Sequence, residues 1–147
     1  MKVYLASPFF NDEENRYYEE MIKILRNEGH KVFVPKEHEI PNAWDLPNAV
    51  WAEQVFALDV VGIQKSDVVV VINHGMYSDS GTAWECGYAY AKGKRVLNIL
   101  CGEYEDDYSL MMTNGTTACV SLDMFRNLTI EQCFSEEKEH NKEIMQK

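Results

Sequence analysis

An unbroken β-branched run at residues 68–72 restricts the fold of this chain more than any other feature. The run reads VVVVI, and such a continuous apolar segment is typical of a parallel strand that is buried on both faces. A strand of this kind needs helices on both sides of its sheet, because each face must be shielded from water. The remaining chain fits this picture, since short apolar segments alternate with longer segments of helical periodicity.

The alternation predicts strands at residues 3–6, 31–34, 67–72, 95–100 and 118–122. Helices are predicted at residues 13–28, 49–64 and 81–92. Asn11 or Asp12 is expected to cap the first helix, because short polar side chains accept hydrogen bonds from free amides at a helix start. Asp79 or Ser80 is expected to cap the third helix for the same reason. The proline-rich segment 36–48 is expected to be a loop.

This order of elements predicts an α/β fold, with a five-stranded, mostly parallel sheet and helices on both faces. One domain is predicted for residues 1–134, followed by a charged tail at residues 135–147. The inward side of the second helix is expected to carry Val50, Val55, Leu58 and either Val61 or Gly62. Because ligands bind beyond the carboxyl ends of such strands, the site is expected at residues 4–10, 35–40, 73–81 and 100–109.

Composition narrows the choice of partner. The formal net charge is -10, with 24 acidic and 14 basic residues, and this surface should repel phosphate backbones and anionic membranes. A nucleic-acid polymer or a membrane is therefore not expected as a partner, and a neutral small molecule fits better. A cytoplasmic location is expected because no secretory apolar segment opens the chain, and the four cysteines, which lack paired spacing, are expected to be reduced.

Three carboxylates stand where chemistry is possible. Glu85 lies early in the third helix, so its side chain should lean back toward the strand ends, and the positive helix end should favour its ionised form. Asp79 precedes this helix, and Asp59 sits among apolar residues near the end of the second. On spacing alone, such acids are more often caps or surface residues. The apolar neighbours Trp84 and Cys86 favour a site at Glu85.

Tyr4 lies in a strand predicted to be buried, where its hydroxyl needs a partner. The simpler alternative is a core tyrosine that reaches the rim, and for Asp59 it is an exposed position between apolar ones. The histidines have no metal-ligand spacing, so no metal is expected. No phosphate-binding glycine motif is present, so the sequence does not favour phosphate chemistry. Carboxylates at helix and strand ends without a metal point toward glycosyl transfer by paired acids.

Five features of the sequence form a pattern: residues 4–10 (YLASPFF), Trp51, residues 59–63 (DVVGI), residues 79–87 (DSGTAWECG) and residues 110–112 (LMM). In these features the chain resembles the nucleoside 2-deoxyribosyltransferases. The segments occur in the family's order over about residues 1–125. The resemblance implies a flavodoxin-like three-layer sandwich, no cofactor, and a homo-oligomer, often a hexamer, in which a neighbour's late loop completes each site.

By the family's pattern, the resemblance implies a double displacement on a 2'-deoxynucleoside. Glu85 attacks C1' and forms a covalent glycosyl-enzyme, and Tyr4 orients Glu85. Asp79 and Asp59 assist the departure of the base, and the same group then deprotonates the incoming base. The positions expected to bind the deoxynucleoside or the free nucleobase are Ser7, Phe10, Glu39, Trp51, Gly81, Ser109 and Met111.

Two positions depart from the family's pattern. Ser109 stands where the transferases commonly have Asn, and the similar 2'-deoxynucleoside 5'-monophosphate N-hydrolases use Ser there. Those hydrolases also carry an Arg-containing glycine-rich loop, whereas residues 8–14 here are bulky and acidic and should repel a phosphate. Glu39 stands where Gln is usual, and an ionised Glu only accepts hydrogen bonds, so a preference for amino-bearing bases is expected.

The transferase is the leading hypothesis. The monophosphate hydrolase is the alternative on the same fold. A non-catalytic nucleoside-binding module is the third, and it would leave Glu85, Asp59 and Asp79 without a joint purpose.

Overall fold

The computed structural model describes residues 1–75, 79–102 and 108–136. Its strands are β1 (Lys2–Ala6), β2 (Lys31–Phe33), β3 (Val68–Asn73), β4 (Arg95–Leu100) and β5 (Ala118–Ser121). Its helices are α1 (Asp12–Asn27), α2 (Asn48–Lys65), α3 (Ser80–Ala91), α4 (Leu110–Asn114), α5 (Leu122–Asn127) and α6 (Ile130–Ser135). Within these ranges, no helix combines the length and the apolar character needed to cross a membrane.

The strands form one parallel sheet in the order β2-β1-β3-β4-β5. This order confirms the α/β, flavodoxin-like prediction, and every described strand pair is parallel. The chain passes from β1 outward to β2 and then returns across β1 to β3, so the strand order reverses between β1 and β3. Ligand-binding crevices of such sheets lie beyond the carboxyl ends of the strands at this reversal.

Helices cover both faces of the sheet, as predicted. One face packs against α1, α5 and α6 through a core that includes Leu5 and Phe125. The other face packs against α2, α3 and α4 through a core that includes Tyr4 and Cys86. Because neighbouring residues of a strand point to opposite faces, Tyr4 shares its layer with the two helices that carry Asp59 and Glu85.

The N-terminal caps of α1 and α3 are residues that the sequence predicted as caps. The Asn11 side chain accepts a hydrogen bond from the Glu14 amide at 2.8 Å, and Asp79 accepts one from the Thr82 amide at 2.9 Å. Gly29 follows α1 with a φ of 90°, a left-handed conformation that glycine adopts without steric cost. These local signals placed both helices within a few residues of their observed ends.

The predicted inward side of α2 is confirmed in part. The helix buries Gly62 and Ile63, and Val55 and Leu58 are half-buried, whereas Val50 and Val61 are exposed. The reason is that α2 rests on the sheet through its last turns, so its earlier turns extend past the strand ends. Apolar residues on those turns therefore face a cleft or solvent.

Beyond residue 100 the structure contains helices that the sequence did not predict. Helices α4, α5 and α6 have five or six residues each, too few for a helical apolar period to emerge. Their N-terminal caps could have indicated where these helices begin. Ser109, Ser121 and Thr129 each accept a hydrogen bond from the amide three residues later. Because Ser121 caps α5, strand β5 ends one residue before the predicted limit of 122.

The predicted division into a domain and a charged tail stays a prediction. Helix α6 ends at Ser135, so the boundary between residues 134 and 135 falls in its last turn. Residues 137–147 lie outside the described residues.

Candidate active site

A cleft of about 990 Å³ opens at the carboxyl ends of β1, β2 and β3. This volume is at the upper end of the range for small-molecule sites. The predicted rim segments 4–10, 35–40 and 73–81 contribute to it. The described residues of the fourth predicted segment, 100–102 and 108–109, do not line it. Residues 76–78 and 103–107 of the predicted rim lie outside the described residues. The predicted site residues that line the cleft are Ser7, Phe10, Glu39, Trp51, Asp59, Asp79 and Glu85.

Helix α3 brings Glu85 to the cleft. Asp79 caps this helix, and Gly81 leaves room for the cap, because a Cβ at Gly81 would lie 2.8 Å from Asp79 Oδ2. Cys86 and Ala89 are buried against the sheet, and Glu85 lies at the edge of that buried face. Gly81 does not line the cleft, so its assignment to substrate binding stays a prediction.

Tyr4 is completely buried beside Glu85. The Tyr4 hydroxyl and Glu85 Oε2 are both inaccessible to water, and neither makes a hydrogen bond of good geometry within the described residues. Burial, followed by the charge of Glu85, raises the pKa of Tyr4 far above its ordinary value. Tyr4 is therefore a neutral donor whose hydroxyl retains an unused bond next to a carboxylate.

The pKa of Glu85 is raised from 4.5 to about 7. Burial is the largest cause, and the charges of Asp59 and Asp79 add to it, while the nearby Tyr4 hydroxyl acts in the opposite direction. The expectation that the helix end would favour the ionised form is therefore outweighed, because desolvation disfavours a buried charge more strongly. A carboxyl that titrates near neutrality in a cleft is a candidate for chemistry.

Asp59 reaches the same cleft from α2. It is half-buried, and burial raises the pKa of Asp59 from 3.8 to about 6, while the charge of His38 lowers it. The alternative of a plainly exposed acid is therefore wrong. A carboxyl with this pKa can hold a proton close to neutral pH and release it to a leaving group.

His38 lines the cleft and was not predicted as a site residue. Its ring stacks on Phe33 with 4.2 Å between centroids and 4° between planes. Phe33 in turn stacks on Tyr4 at 5.4 Å. This aromatic column joins the surroundings of Glu85 to those of Asp59. Sequence offered no signal for it, because His38 lies in a segment without periodicity.

Phe9 and Lys36 also line the cleft and fall within the predicted rim segments, whereas Trp44 lines the cleft from outside those segments. The Lys36 ammonium donates to Asn15 Oδ1 at 3.2 Å and lies 3.9 Å from Glu19. These contacts turn its charge toward α1. The ionisable groups that line the cleft are mainly acidic.

Ser109 and Met111 do not line the cleft of their own chain. Ser109 Oγ caps α4 by accepting a hydrogen bond from the Met112 amide at 3.4 Å. Met111 is 77% exposed on the same short helix. Their assignment to substrate binding stays a prediction that needs a neighbouring subunit.

The site combines the carboxyls of Glu85 and Asp59 with the neutral phenol of Tyr4. The family model for nucleoside 2-deoxyribosyltransferase matches residues 3–145. The chain belongs to this family.

Individual members of the nucleoside 2-deoxyribosyltransferase family are similar over most of the chain. The nucleoside deoxyribosyltransferase of Lactobacillus leichmannii is 25% identical over 111 residues, covering 69% of this chain and 71% of that protein. A solved 2-deoxyribosyltransferase from Bacillus psychrosaccharolyticus is 32% identical, with a TM-score of 0.79, and the match covers 90% of this chain and 96% of the other. The chain is therefore an enzyme of deoxyribosyl transfer or a related activity on nucleosides.

A more distant solved structure shares the fold of this chain. The CMP N-glycosidase of Clostridium botulinum is 20% identical, with a TM-score of 0.59, and the match covers 98% of each chain. At that identity the likeness concerns the fold alone.

Proposed function

We propose that this enzyme exchanges the base of 2'-deoxynucleosides through a covalent deoxyribosyl intermediate on Glu85, serving nucleoside salvage in the cytoplasm. The observation that carries the proposal is the pair of carboxyls, Glu85 and Asp59, which line one cleft with pKa values of about 7 and about 6. Such a pair can share one proton, so that one member attacks while the other protonates. No cofactor takes part.

In the first half-reaction, the Glu85 carboxylate attacks C1' of the deoxyribose. The C1'–N bond breaks, its electron pair goes to the base, and protonated Asp59 delivers a proton to that nitrogen. The Tyr4 hydroxyl donates to the Glu85 carboxylate and holds it in line. The absence of a 2'-hydroxyl removes an electron-withdrawing group, which makes the oxocarbenium-like transition state easier to reach.

In the second half-reaction, a free base attacks C1' and displaces Glu85. The ionised Asp59 takes the proton from the incoming nitrogen and is ready for the next turnover. Asp79 lies on the base side, but its Oδ2 already accepts from the Thr82 amide at 2.9 Å. We therefore assign proton transfer mainly to Asp59, and to Asp79 the support of α3 and of the local negative charge.

The cleft favours an uncharged nucleoside. Glu39 lines the cleft and, as an acceptor, suits bases with an exocyclic amino group. Glu14 accepts from the Phe10 amide at 2.8 Å, so the loop after β1 presents a negative charge where a phosphate would need cations. Ser7, Phe10 and Trp51 complete the proposed substrate contacts within one chain.

A homo-oligomer completes the site in this proposal. Large apolar side chains are exposed on the layer that carries the cleft: Phe56, Val61, Trp84, Leu110 and Met111. We call these five residues the apolar face. A neighbouring copy that covers the apolar face would bring its Ser109 and Met111 to the far end of the sugar.

A base-exchange assay tests the proposal. The protein is incubated with deoxyinosine or thymidine and free adenine or cytosine, and a new deoxynucleoside is expected by chromatography. Glu85→Ala should abolish it, while Asp123→Ala, an exposed acid on the opposite layer, should not. Without an acceptor base, the intact mass of the wild type should rise by one deoxyribosyl group.

The second candidate is hydrolysis of a deoxynucleoside 5'-monophosphate, which Ser109 favours. Release of base from the monophosphate alone, with no exchange, would replace the proposed function by this one. No turnover of either substrate would contradict both.

A further inference from the structure

Trp44 is the most exposed large apolar side chain of the described residues, and it lines the cleft. It lies in the 3-10 turn Ala43–Asp45, between Pro41 and Pro47. Within the described part of the chain, its indole stacks on no other aromatic ring, in contrast to Trp84, which contacts Phe56 and Tyr88. A tryptophan without partners leaves its full apolar surface in water.

The turn presents Trp44 in a defined position. Asn42 enters the turn with a φ of 60°, a left-handed conformation that Asn tolerates better than most residues. The Asp45 amide donates to the Asn42 carbonyl at 2.9 Å and closes the turn. The two prolines restrict the flanking backbone. Trp44 is therefore held at the rim by local structure.

Helix α2 gives a measure of the distance between Asp59 and the part of the rim that carries Trp44. The helix contributes Asn48, Trp51, Val55 and Asp59 to the cleft, and their spacing of three or four residues places them along one side of the helix. These four residues form one wall of the cleft, which extends about 16 Å along the helix axis from Asp59 to Asn48. Trp44 lies just before the start of α2, beyond the end of the wall that is farthest from Asp59.

The cleft therefore extends past the position of a simple base. The base must lie near Asp59, which exchanges a proton with its ring nitrogen. Beyond it, the wall continues through Trp51 and the cleft is bounded by Ile40, Pro41 and Trp44. This outer part offers apolar and aromatic contacts, which suit a flat apolar group better than a charged one.

Taking the proposed base exchange as its basis, we propose that Trp44 forms an outer subsite for aromatic or bulky apolar substituents on the base. The enzyme would then accept bases substituted on an exocyclic amino group, such as N6-benzyladenine. The substituted nitrogen keeps one N–H, so Glu39 can still accept a hydrogen bond from it. The benzyl group would stack on the Trp44 indole.

Competition between acceptors tests the subsite. With deoxyinosine as donor, we compare kcat/KM for adenine and for N6-benzyladenine in the wild type, Trp44→Ala and Trp44→Phe. Stacking on an aromatic side chain is worth enough to predict that Trp44→Ala lowers the ratio of N6-benzyladenine to adenine about tenfold. Trp44→Phe should restore most of it. Tyr90→Ala, an exposed aromatic residue of α3 outside the cleft lining, should leave the ratio unchanged.

Calorimetric titration with the free bases separates this subsite from the base exchange itself. Binding of N6-benzyladenine should weaken about tenfold in Trp44→Ala relative to binding of adenine, whether or not turnover occurs. An equal loss for both bases, or no loss for either, would overturn the subsite. A change in oligomeric state in Trp44→Ala would also overturn it, because the indole would then belong to a subunit contact. Absence of exchange with adenine in the wild type would contradict the proposed function alone.

Discussion

Glu85 and Asp59 compete for a proton inside the same cleft. Burial raises both pKa values, and the charge of Asp59 raises that of Glu85 further. Two carboxyls coupled in this way titrate as a pair, and the two pKa values belong to the pair. In the proposed mechanism the active form has one proton, carried by Asp59, because this form contains an ionised nucleophile and an acid together.

Activity should therefore depend on pH in a bell-shaped manner. Below about pH 6 both carboxyls are protonated and no nucleophile is present, and above about pH 7 both are ionised and no acid protonates the base. The measurement is kcat/KM for deoxyinosine from about pH 4.5 to about pH 9, so that both limbs fall within the range. A profile without two limbs in this window would contradict the assignment.

Asp59→Asn gives the matched test of the pair. Glu85 should still ionise in this variant, so an acidic limb should remain. The alkaline limb should disappear, and the rate should fall by about 10²–10⁴-fold, as is usual for loss of a general acid. An alkaline limb that persists in Asp59→Asn would show that Asp59 is not the general acid.

The burial of Glu85 also lowers the free energy of unfolding at a pH where its carboxyl is ionised. Its folded pKa is about 7, above the ordinary value of 4.5, so the folded state binds the proton more tightly. The stability that the protonated form provides is fully present below about pH 4.5 and is lost as pH rises through about 7. Glu85→Gln should thus raise the free energy of unfolding at pH 8 by about 2–3 kcal/mol.

Urea denaturation at two pH values measures this effect. At pH 4 the same substitution should change the free energy of unfolding little, because Glu85 is then protonated in both states. An equal gain at both pH values would point to packing instead of ionisation.

At the scale of elements, the meeting of α2 with β2 holds the aromatic column in place. A Cβ added at Gly62 would lie 2.9 Å from Phe33 Cε1. Phe33 is confined between Tyr4 at 5.4 Å and His38 at 4.2 Å. Its ring therefore has little freedom to move away, and any side chain at Gly62 should disturb the surroundings of both Glu85 and Asp59.

Gly62→Ala should accordingly lower both stability and kcat, although alanine is the better helix former by about 1 kcal/mol. Gly87→Ala is the control within α3, where an added Cβ meets nothing within 4 Å. That control should gain up to about 1 kcal/mol from helix propensity. Thermal unfolding and the exchange assay measure both. A stabilised, fully active Gly62→Ala would show that Phe33 can move without consequence.

At the scale of the whole molecule, the apolar face is unusual for an isolated chain. Phe56 is 55% exposed and Leu110 is 65% exposed. The Phe56 and Trp84 rings meet at 5.2 Å, so α2 and α3 present a joined aromatic patch. Contiguous exposed apolar surface of this kind marks an interaction site, here assigned to a second copy of the chain.

Phe56→Glu should dissociate the proposed oligomer, because a carboxylate buried in an apolar contact is strongly destabilising. Sedimentation equilibrium should show a smaller particle, and base exchange should fall with it, since Ser109 and Met111 would no longer reach a neighbouring cleft. Lys23→Glu, on the exposed side of α1 in the opposite layer, is the control. A monomeric wild type with full activity would exclude the neighbour's contribution.

Much of the fold could be predicted from sequence, because strands and long helices are encoded by periodicity and caps within a few neighbouring residues. The β-branched run at 68–72, the caps at Asn11 and Asp79, and the helix around Glu85 are of this kind. The short helices after residue 109 escaped because five or six residues do not complete an apolar period.

The sequence by itself therefore determined the parallel α/β sheet, the family, and three of the segments that border the cleft. Only the tertiary structure decided how Glu85 and Asp59 ionise, because desolvation depends on residues far apart in the chain that close around a carboxyl. It also decided that His38 stacks on Phe33, that Trp44 stands at the rim, and that half of α2 is left uncovered. Those properties arise where separate elements meet, and no local pattern contains them.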